Sequence, residues 1–449
     1  MGPENGGVQH AIALTRPGHS WRVPALLFLG FVVVYAATIG TDVSLDVWTA
    51  DYAAWSIINT GHGWVDISTF PAIDDHPFRS VWVVQAAHGH EAIGRAPGVI
   101  APSLPAYWIA GLTTMSVVPG ALTAAVLTAL TDLLLFLTLR DRLGQRGALL
   151  ATLIVGFATP VWTIAANGMW PHTLTILGIA GMAWAADRER WWLVGLFGGV
   201  ALWGRLHAAL ICAVLTLGLA AWRRDPRIAV WAGLAGTATL GGLSAWNQWM
   251  YGTWDPTAGY RTGDFTAYAG THLVDISNHL GFWISPDRGL LVWTPMLLVL
   301  APALARGWRD LPDWSRWLFV GGVAYQLLQG ALNRFSGGDA FYGYRLGLEL
   351  LVCATPALAL SATRLSPLGR RLAVPVGAFQ FAMIAAGASG NSYFVPAEEV
   401  WTSNSFIDGI RQNPAGFGSI AALSFFAALL FVRIWSEPTL SSSPKDDHE

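Results

Sequence analysis

Four groups that carry or accept charge stand at the edges of apolar runs in this chain. They are His172 in Trp170-Pro171-His172-Thr173, Arg205 after Gly204, Arg288 in Ser285-Pro286-Asp287-Arg288-Gly289 and Arg345 after Tyr344. Two carboxylates, Asp42 and Asp46, follow the first apolar run. A guanidinium meets a phosphate with two parallel hydrogen bonds, and a carboxylate can take the proton of an attacking hydroxyl. If the runs converge, these residues form an anion site facing a general base. Sugar transfer from a lipid phosphate needs that combination. Arg95, Tyr260, Asp51 and Tyr344 are further candidates for acceptor or loop contacts. Each position also has a plainer use. An arginine at a helix end fixes helix depth by snorkelling. Glu349, one turn after Arg345, can form an intrahelical ion pair with it. Asp42 can cap a helix, and Asp46 is favoured by the dipole of a first turn.

The elements that would position these groups are membrane helices. Of the 449 residues, 53% are hydrophobic and 12% charged, against about 25% charged in a soluble domain. That composition excludes a disordered chain, a collagen-like chain and a basic nucleic-acid-binding domain. The 26 basic and 28 acidic residues nearly cancel, so net charge indicates no polyanionic partner. The 24 tryptophans suit membrane–water interfaces. Cys212 and Cys353 lie in apolar runs, with neither metal spacing nor a disulfide framework. A spanning helix needs about 20 mostly apolar residues. Twelve runs qualify as candidates: 23–41, 119–139, 147–166, 171–186, 191–206, 207–222, 228–250, 288–306, 314–332, 346–362, 372–389 and 416–435. The first is read as a retained helix because no small-residue cleavage site follows it. The stretch 191–222 is read as two passes broken at Gly204-Arg205, since one helix there would be about 48 Å long. Two passes also place 18 of the 26 basic residues on the cytoplasmic side, with both termini there. The expected architecture is therefore all-α and polytopic: one integral-membrane domain over 1–435, then a polar cytoplasmic tail over 436–449.

The loops are unequal. Those read as external are long at 42–118 and 251–287 and shorter at 333–345 and 390–415, whereas the cytoplasmic turns are short and basic. Trp48, Tyr52 and Trp55 fall at i, i+4 and i+7, which predicts a helix lying in the interface with its aromatics among headgroups. Ser44 or Asp42 would cap it. A second interfacial helix is predicted where Pro102-Ser103-Leu104-Pro105-Ala106-Tyr107-Trp108 restarts an apolar run too short to span. Asp74, Asp75, His76 and His88 could ligate a divalent cation, but their spacing matches no metal pattern. No cofactor is therefore expected.

Taken together, the layout resembles the GT-C superfamily of polytopic glycosyltransferases. Four stretches carry the resemblance: Asp46 to Gly61 after the first span, Ser285-Pro286-Asp287-Arg288-Gly289-Leu290-Leu291, the glycine-rich stretch from Gly337-Gly338 to Tyr342-Gly343-Tyr344-Arg345, and the basic turn Arg140-Asp141-Arg142-Leu143-Gly144-Gln145-Arg146. The resemblance implies a polyprenyl-phosphate sugar donor, a lipid or cell-envelope glycan acceptor, membrane lipids and no nucleic acid as partners. It also implies inverting chemistry at the extracytoplasmic face of the plasma membrane. The superfamily's base is an early-loop acidic residue, which maps best onto Asp46 and next onto Asp42. Many members have an acidic pair side by side, whereas these two are separated by three residues. A twelve-span transporter or flippase is the alternative, expected to show internal repeats and mid-span ionisable residues. No repeat is visible, and only Asp132 lies clearly mid-span. A non-catalytic assembly partner is the third class.

Overall fold

A computed structural model describes residues 21–41, 43–66, 68, 82–260, 272–390 and 393–436. Asp42, Asp74, Asp75, His76 and the tail from 437 onward therefore lie outside the described residues. The chain is almost wholly helical: α1 (Arg22–Ala37), α2 (Leu45–Thr60), α3 (Leu104–Ala110), α4 (Val118–Phe157), α5 (Pro171–Asp187), α6 (Trp191–Gly204), α7 (Ala209–Arg223), α8 (Arg227–Tyr251), α9 (Ile276–Ile284), α10 (Met296–Gly307), α11 (Asp313–Leu332), α12 (Leu348–Ser361), α13 (Pro367–Ser389), α14 (Ser405–Gln412) and α15 (Ser419–Ser436). Among the described residues five stretches are long and apolar enough to cross a membrane: Val118–Phe157, Leu206–Arg223, Arg227–Tyr251, Pro367–Ser389 and Pro414–Trp435. The chain is an all-α polytopic membrane protein.

Each expected apolar run coincides with helix, and the differences have local causes. α4 is two helices joined at Gly144, whose φ of 69° breaks the ladder. Its second half ends at Phe157 rather than 166, because Pro160 cannot continue a helix. Pro295 likewise separates the short turn Leu290–Trp293 from α10. Arg205 is extended (φ −144°, ψ 119°), so the chain reverses between α6 and α7. Arg223 at the end of α7 then stacks on Trp191 at the start of α6, as an antiparallel hairpin requires.

Small residues let the helices approach. A Cβ on Gly195 would collide with the Ala232 carbonyl of α8, and one on Gly199 with Thr239. Asp132 is buried in α4 and accepts from the Tyr35 hydroxyl of α1 at 2.7 Å, a helix–helix hydrogen bond inside the bundle. The basic turn works with its neighbours at one end of the bundle. Arg142 donates to Asp187 at 2.7 Å, Arg223 to Glu189 at 2.7 Å, and Arg316 pairs with Asp313.

The opposite end carries the long loops, which have a core of their own. Tyr52, Ala53, Ala54, Val84, Ile93, Ile100, Tyr107 and Tyr251 are buried together there. This corrects the expected role of the aromatic face of α2. Tyr52 is fully buried rather than immersed in headgroups, and the Trp55 indole donates to the Leu112 carbonyl at 3.0 Å. Trp108 and Ile109 on α3 are exposed large apolar side chains. The first loop also contains a small antiparallel hairpin that was not expected, β1 (Val83–Gln85) paired with β2 (Glu91–Ile93). Adding a side chain at Gly195 should force α6 from α8. Gly195→Ala and Gly199→Ala should each lose about 1–3 kcal/mol, read as an earlier melting transition in detergent. Gly233→Ala, with open space around its Cβ, should melt like the parent.

Candidate active site

The site begins with Asp46 in the first turn of α2, a helix capped by the Ser44 hydroxyl. Two elements brought in from the distant chain close on it. The hairpin register pairs Val83 with Ile93, and the Gly94 amide bonds to the Trp82 carbonyl at 2.8 Å. Trp82 and Arg95 therefore leave the same end of the hairpin side by side. The Trp82 indole donates to Asp46 Oδ1 at 3.0 Å, and Arg95 pairs with the same oxygen. Tyr251, at the end of α8, holds this end of the hairpin. Its hydroxyl accepts from the Arg95 amide at 3.2 Å and lies 2.9 Å from the Ile93 and Arg95 carbonyls.

Arg345 arrives from the glycine-rich loop before α12 and donates to Asp46 Oδ2 at 2.6 Å. Its guanidinium lies over Trp170 at 4.9 Å and Phe341 at 5.2 Å. Gly337 and Gly338 have φ of 67° and 82°, a conformation open to glycine, and the loop so formed curves around the guanidinium. A side chain on Gly337 would press on Arg345 Nε. Burial by itself would raise the Asp46 pKa. Arg95 and Arg345 outweigh it and hold the carboxyl well below the usual carboxylate range. One carboxylate between two guanidiniums leaves one positive charge uncompensated, so the cluster attracts an anion.

A second polar layer lies beneath. His172, at the start of α5, is fully buried with its Nδ1 2.7 Å from Glu349 on α12. Glu349 thus meets His172, not Arg345 as its i+4 spacing suggests. Arg205 donates to Gln329 Oε1 at 3.0 Å and to the Tyr325 hydroxyl at 3.3 Å. His207 Nε2 is 2.7 Å from the same Gln329 oxygen, with its ring stacked on Tyr325. Arg205 interacts electrostatically with Glu349, Arg345 and Tyr260, and Tyr260 also with Arg95. His172, Arg205 and Tyr260 are therefore near enough to the Arg95–Asp46–Arg345 cluster to act on its charges, and the link between the two layers is electrostatic.

The other sequence candidates among the described residues are buried among protein partners of their own, although Arg288 also acts electrostatically on Arg345. Arg288 is 2% exposed, and each of its three nitrogens donates to protein: Nε to Ser336 at 3.2 Å, Nη2 to Val395 at 3.0 Å, and Nη1 to Asp287. Asp287 in turn accepts from the Ser405 amide and hydroxyl at 2.6 Å. The Ser-Pro-Asp-Arg-Gly segment is thus a clasp holding the 393–405 stretch, with no donor facing a ligand. Arg288 reaches the site indirectly, since it lies 4.0 Å over Phe341, which also carries Arg345. The Tyr344 hydroxyl lies 2.8 Å from Thr294 Oγ1 inside the bundle. Asp51 is fully buried on α2, where burial pushes its carboxyl well above the usual range. Among the described residues no group of three or more His, Cys, Asp or Glu side chains could hold a metal ion.

Trp82, Trp170, Phe341, His207 and Gln329, with the His172 partner of Glu349, are site residues that local sequence pattern does not single out. Gln326 and Gln329 in an apolar helix, and a histidine two residues after Arg205, were the available signals.

No protein-family model matches the sequence, and no curated protein matches it. Two solved structures have a similar backbone. One is ArnT from Cupriavidus metallidurans in the apo state, at 15% identity over 92% of this chain and 76% of that one, with a TM-score of 0.49. The other is the Archaeoglobus fulgidus oligosaccharyltransferase tethered by a disulfide to an acceptor peptide containing the NVT sequon. It is 12% identical over 92% of this chain and 56% of that one, with a TM-score of 0.47.

Two stability outcomes follow. Arg288→Ala would strand the buried Asp287 carboxylate and should cost about 3–5 kcal/mol, whereas Arg411→Ala, on a 75% exposed side chain, should not move the melting temperature. Burial raises the folded Asp51 pKa, which costs stability as pH climbs above the unfolded value of about 3.9. Asp51→Asn should therefore melt at or above the parent at pH 8, with the gap closing as pH falls toward about 4 in pH-resolved melting curves.

Proposed function

We propose that this protein is a membrane glycosyltransferase of the GT-C type. In this reading it transfers a sugar from a polyprenyl-phosphate donor to a lipid or cell-envelope glycan acceptor at the extracytoplasmic face, with inversion. The observation that carries the reading is the Arg95–Asp46–Arg345 cluster at the loop-bearing end of an apolar helical bundle. The two guanidiniums supply the fixed positive charge that a departing lipid phosphate needs, and Asp46 is the carboxylate positioned to take the acceptor proton. In the transfer the acceptor oxygen bonds to the anomeric carbon from the face opposite the phosphate. The anomeric carbon–oxygen bond breaks with its electron pair going to the phosphate, and the hydroxyl proton passes to Asp46. Trp170 and Phe341 hold the Arg345 fork by ring contact and exclude water around it. Arg205 and His172 are proposed as a deeper part of the same donor site and Tyr260 as a residue of its rim.

The reading is tested with purified protein, a panel of polyprenyl-phosphate sugars and envelope acceptors. Asp46→Asn should reduce transfer by about 10²–10⁴-fold while the protein stays folded. Activity of Asp46→Asn close to the parent would remove the base. Arg345→Lys keeps charge but loses the planar fork, so it should raise the donor KM, and Arg345→Ala should raise it more, by about 10–100-fold. Transfer should also persist in a chelator without added divalent ions. Loss in EDTA with recovery in Mg²⁺ or Mn²⁺ would assign the phosphate charge to a metal instead.

A further inference from the structure

We propose that Asp46 and the donor phosphate compete for the same two guanidiniums. In the resting protein the Asp46 carboxylate sits in the seat that Arg95 and Arg345 keep for the phosphate; a bound donor shares the arginines, and the departing phosphate draws them away and frees Asp46 to accept a proton. The proposal rests on the glycosyl-transfer reading and deepens it by making departure of the donor phosphate the step that turns the base on.

The geometry has three parts. First, the two arginines belong to remote elements, the first-loop hairpin and the glycine-rich loop, yet each meets a different oxygen of one carboxylate. A phosphate offers the same arrangement of paired acceptor oxygens to paired forks, so the carboxylate has the shape of a stand-in. Second, Arg95 Nε and Arg345 Nε are buried without a hydrogen-bond partner. Each guanidinium therefore retains an unused donor, and the leaving phosphate monoester, with three terminal oxygens, offers one more acceptor than the carboxylate it replaces. Third, the Asp46 side chain is 22% exposed, with Arg95 at 15% and Arg345 at 14%. The cluster is open enough for its carboxylate to be replaced.

Charge decides the direction of exchange. The donor is a phosphodiester with one negative charge, equal to that of Asp46, so in the ground state the arginines are shared evenly. The leaving lipid phosphate is a monoester carrying about −1.5 to −2 at neutral pH. As the anomeric carbon–oxygen bond breaks, its electron pair moves onto the phosphate, and the growing charge takes the guanidiniums from Asp46. Losing them makes Asp46 a stronger base just as the acceptor hydroxyl surrenders its proton to it. The cluster thereby binds the transition state better than the bound substrate, the difference that accelerates a reaction. While both arginines hold it, Asp46 is a poor proton acceptor, so acceptor hydroxyls and water are not activated before the donor arrives.

Binding of a short-chain polyprenyl phosphate to the full-length protein in detergent tests this without any turnover. If Asp46 occupies the phosphate seat, Asp46→Asn and Asp46→Ala should each bind the probe about tenfold more tightly than the parent, or better. Arg95→Gln and Arg345→Gln should each weaken binding by about tenfold or more. Equal or weaker binding by both Asp46 variants, with melting curves showing a folded protein, overturns the competition. Asp46→Glu serves if those variants melt early. It keeps the charge, and under the proposal it should bind no more tightly than the parent, so a gain there overturns the competition as well. The two readings fail separately. Sugar transfer by the parent with no gain in the Asp46 variants leaves the transferase and removes the competition. A gain in those variants with no transfer from any donor of the panel leaves the competition and removes the transferase.

Discussion

The pairing of Asp46 with Arg95 and Arg345 makes one site out of three remote stretches of chain. α2 and the hairpin already share a small apolar core, and the charges with the aromatic side chains around them join the glycine-rich loop before α12 to that unit. Partly desolvated ions are held only where each finds its opposite. Asp46 meets this condition twice over, since two guanidiniums and an indole N–H reach its two oxygens. Among the described residues the remaining positive charge has no carboxylate of its own, and that imbalance gives the cluster its chemistry.

The supports around the cluster are arranged so that its members have little freedom. The hairpin register puts Trp82 and Arg95 at one end, and Tyr251 binds that end to α8. Arg345 is confined by Trp170, Phe341 and the two positive-φ glycines. Phe341 lies between two guanidiniums, with Arg288 on it at 4.0 Å and Arg345 at 5.2 Å. A buried clasp that touches no ligand thus helps set the direction of one that does. Below, the His172–Glu349 pair and the Arg205–Gln329–His207 bonds close the ends of α5, α7, α11 and α12 with polar contacts. These contacts satisfy one polar atom of each of His172, Glu349 and Gln329 and leave His172 Nε2, Glu349 Oε2 and Gln329 Nε2 buried without a hydrogen-bond partner among the described residues.

Much of the architecture was legible in the amino-acid order. Apolar runs of spanning length mark the helices because a bilayer imposes a length and a composition on any segment inside it. The break at Gly204-Arg205, the capped helix after the first run and the basic turn at Arg140–Arg146 were each readable from local chemistry, and each is present in the structure. So was the candidacy of Asp46, Arg345, His172 and Arg205, since an ionisable residue at the edge of an apolar run needs a partner or a purpose.

Which partner each one takes was decided only by tertiary structure. Arg288 and Arg345 look alike in sequence, each following a glycine- or proline-bearing loop at the start of an apolar run. One ends in a closed clasp with Asp287, and the other reaches a carboxylate 299 residues away in the chain. Glu349 has the i+4 spacing for Arg345 but bonds His172, because Arg345 precedes α12 and turns toward Asp46. The hairpin that delivers Trp82 and Arg95 is too short to leave a periodic signal. Local pattern therefore determined where helices run and which residues carry charge. Long-range packing determined which charges meet, because an ion pair depends on distance in space and sequence spacing sets that distance only within one helix or turn.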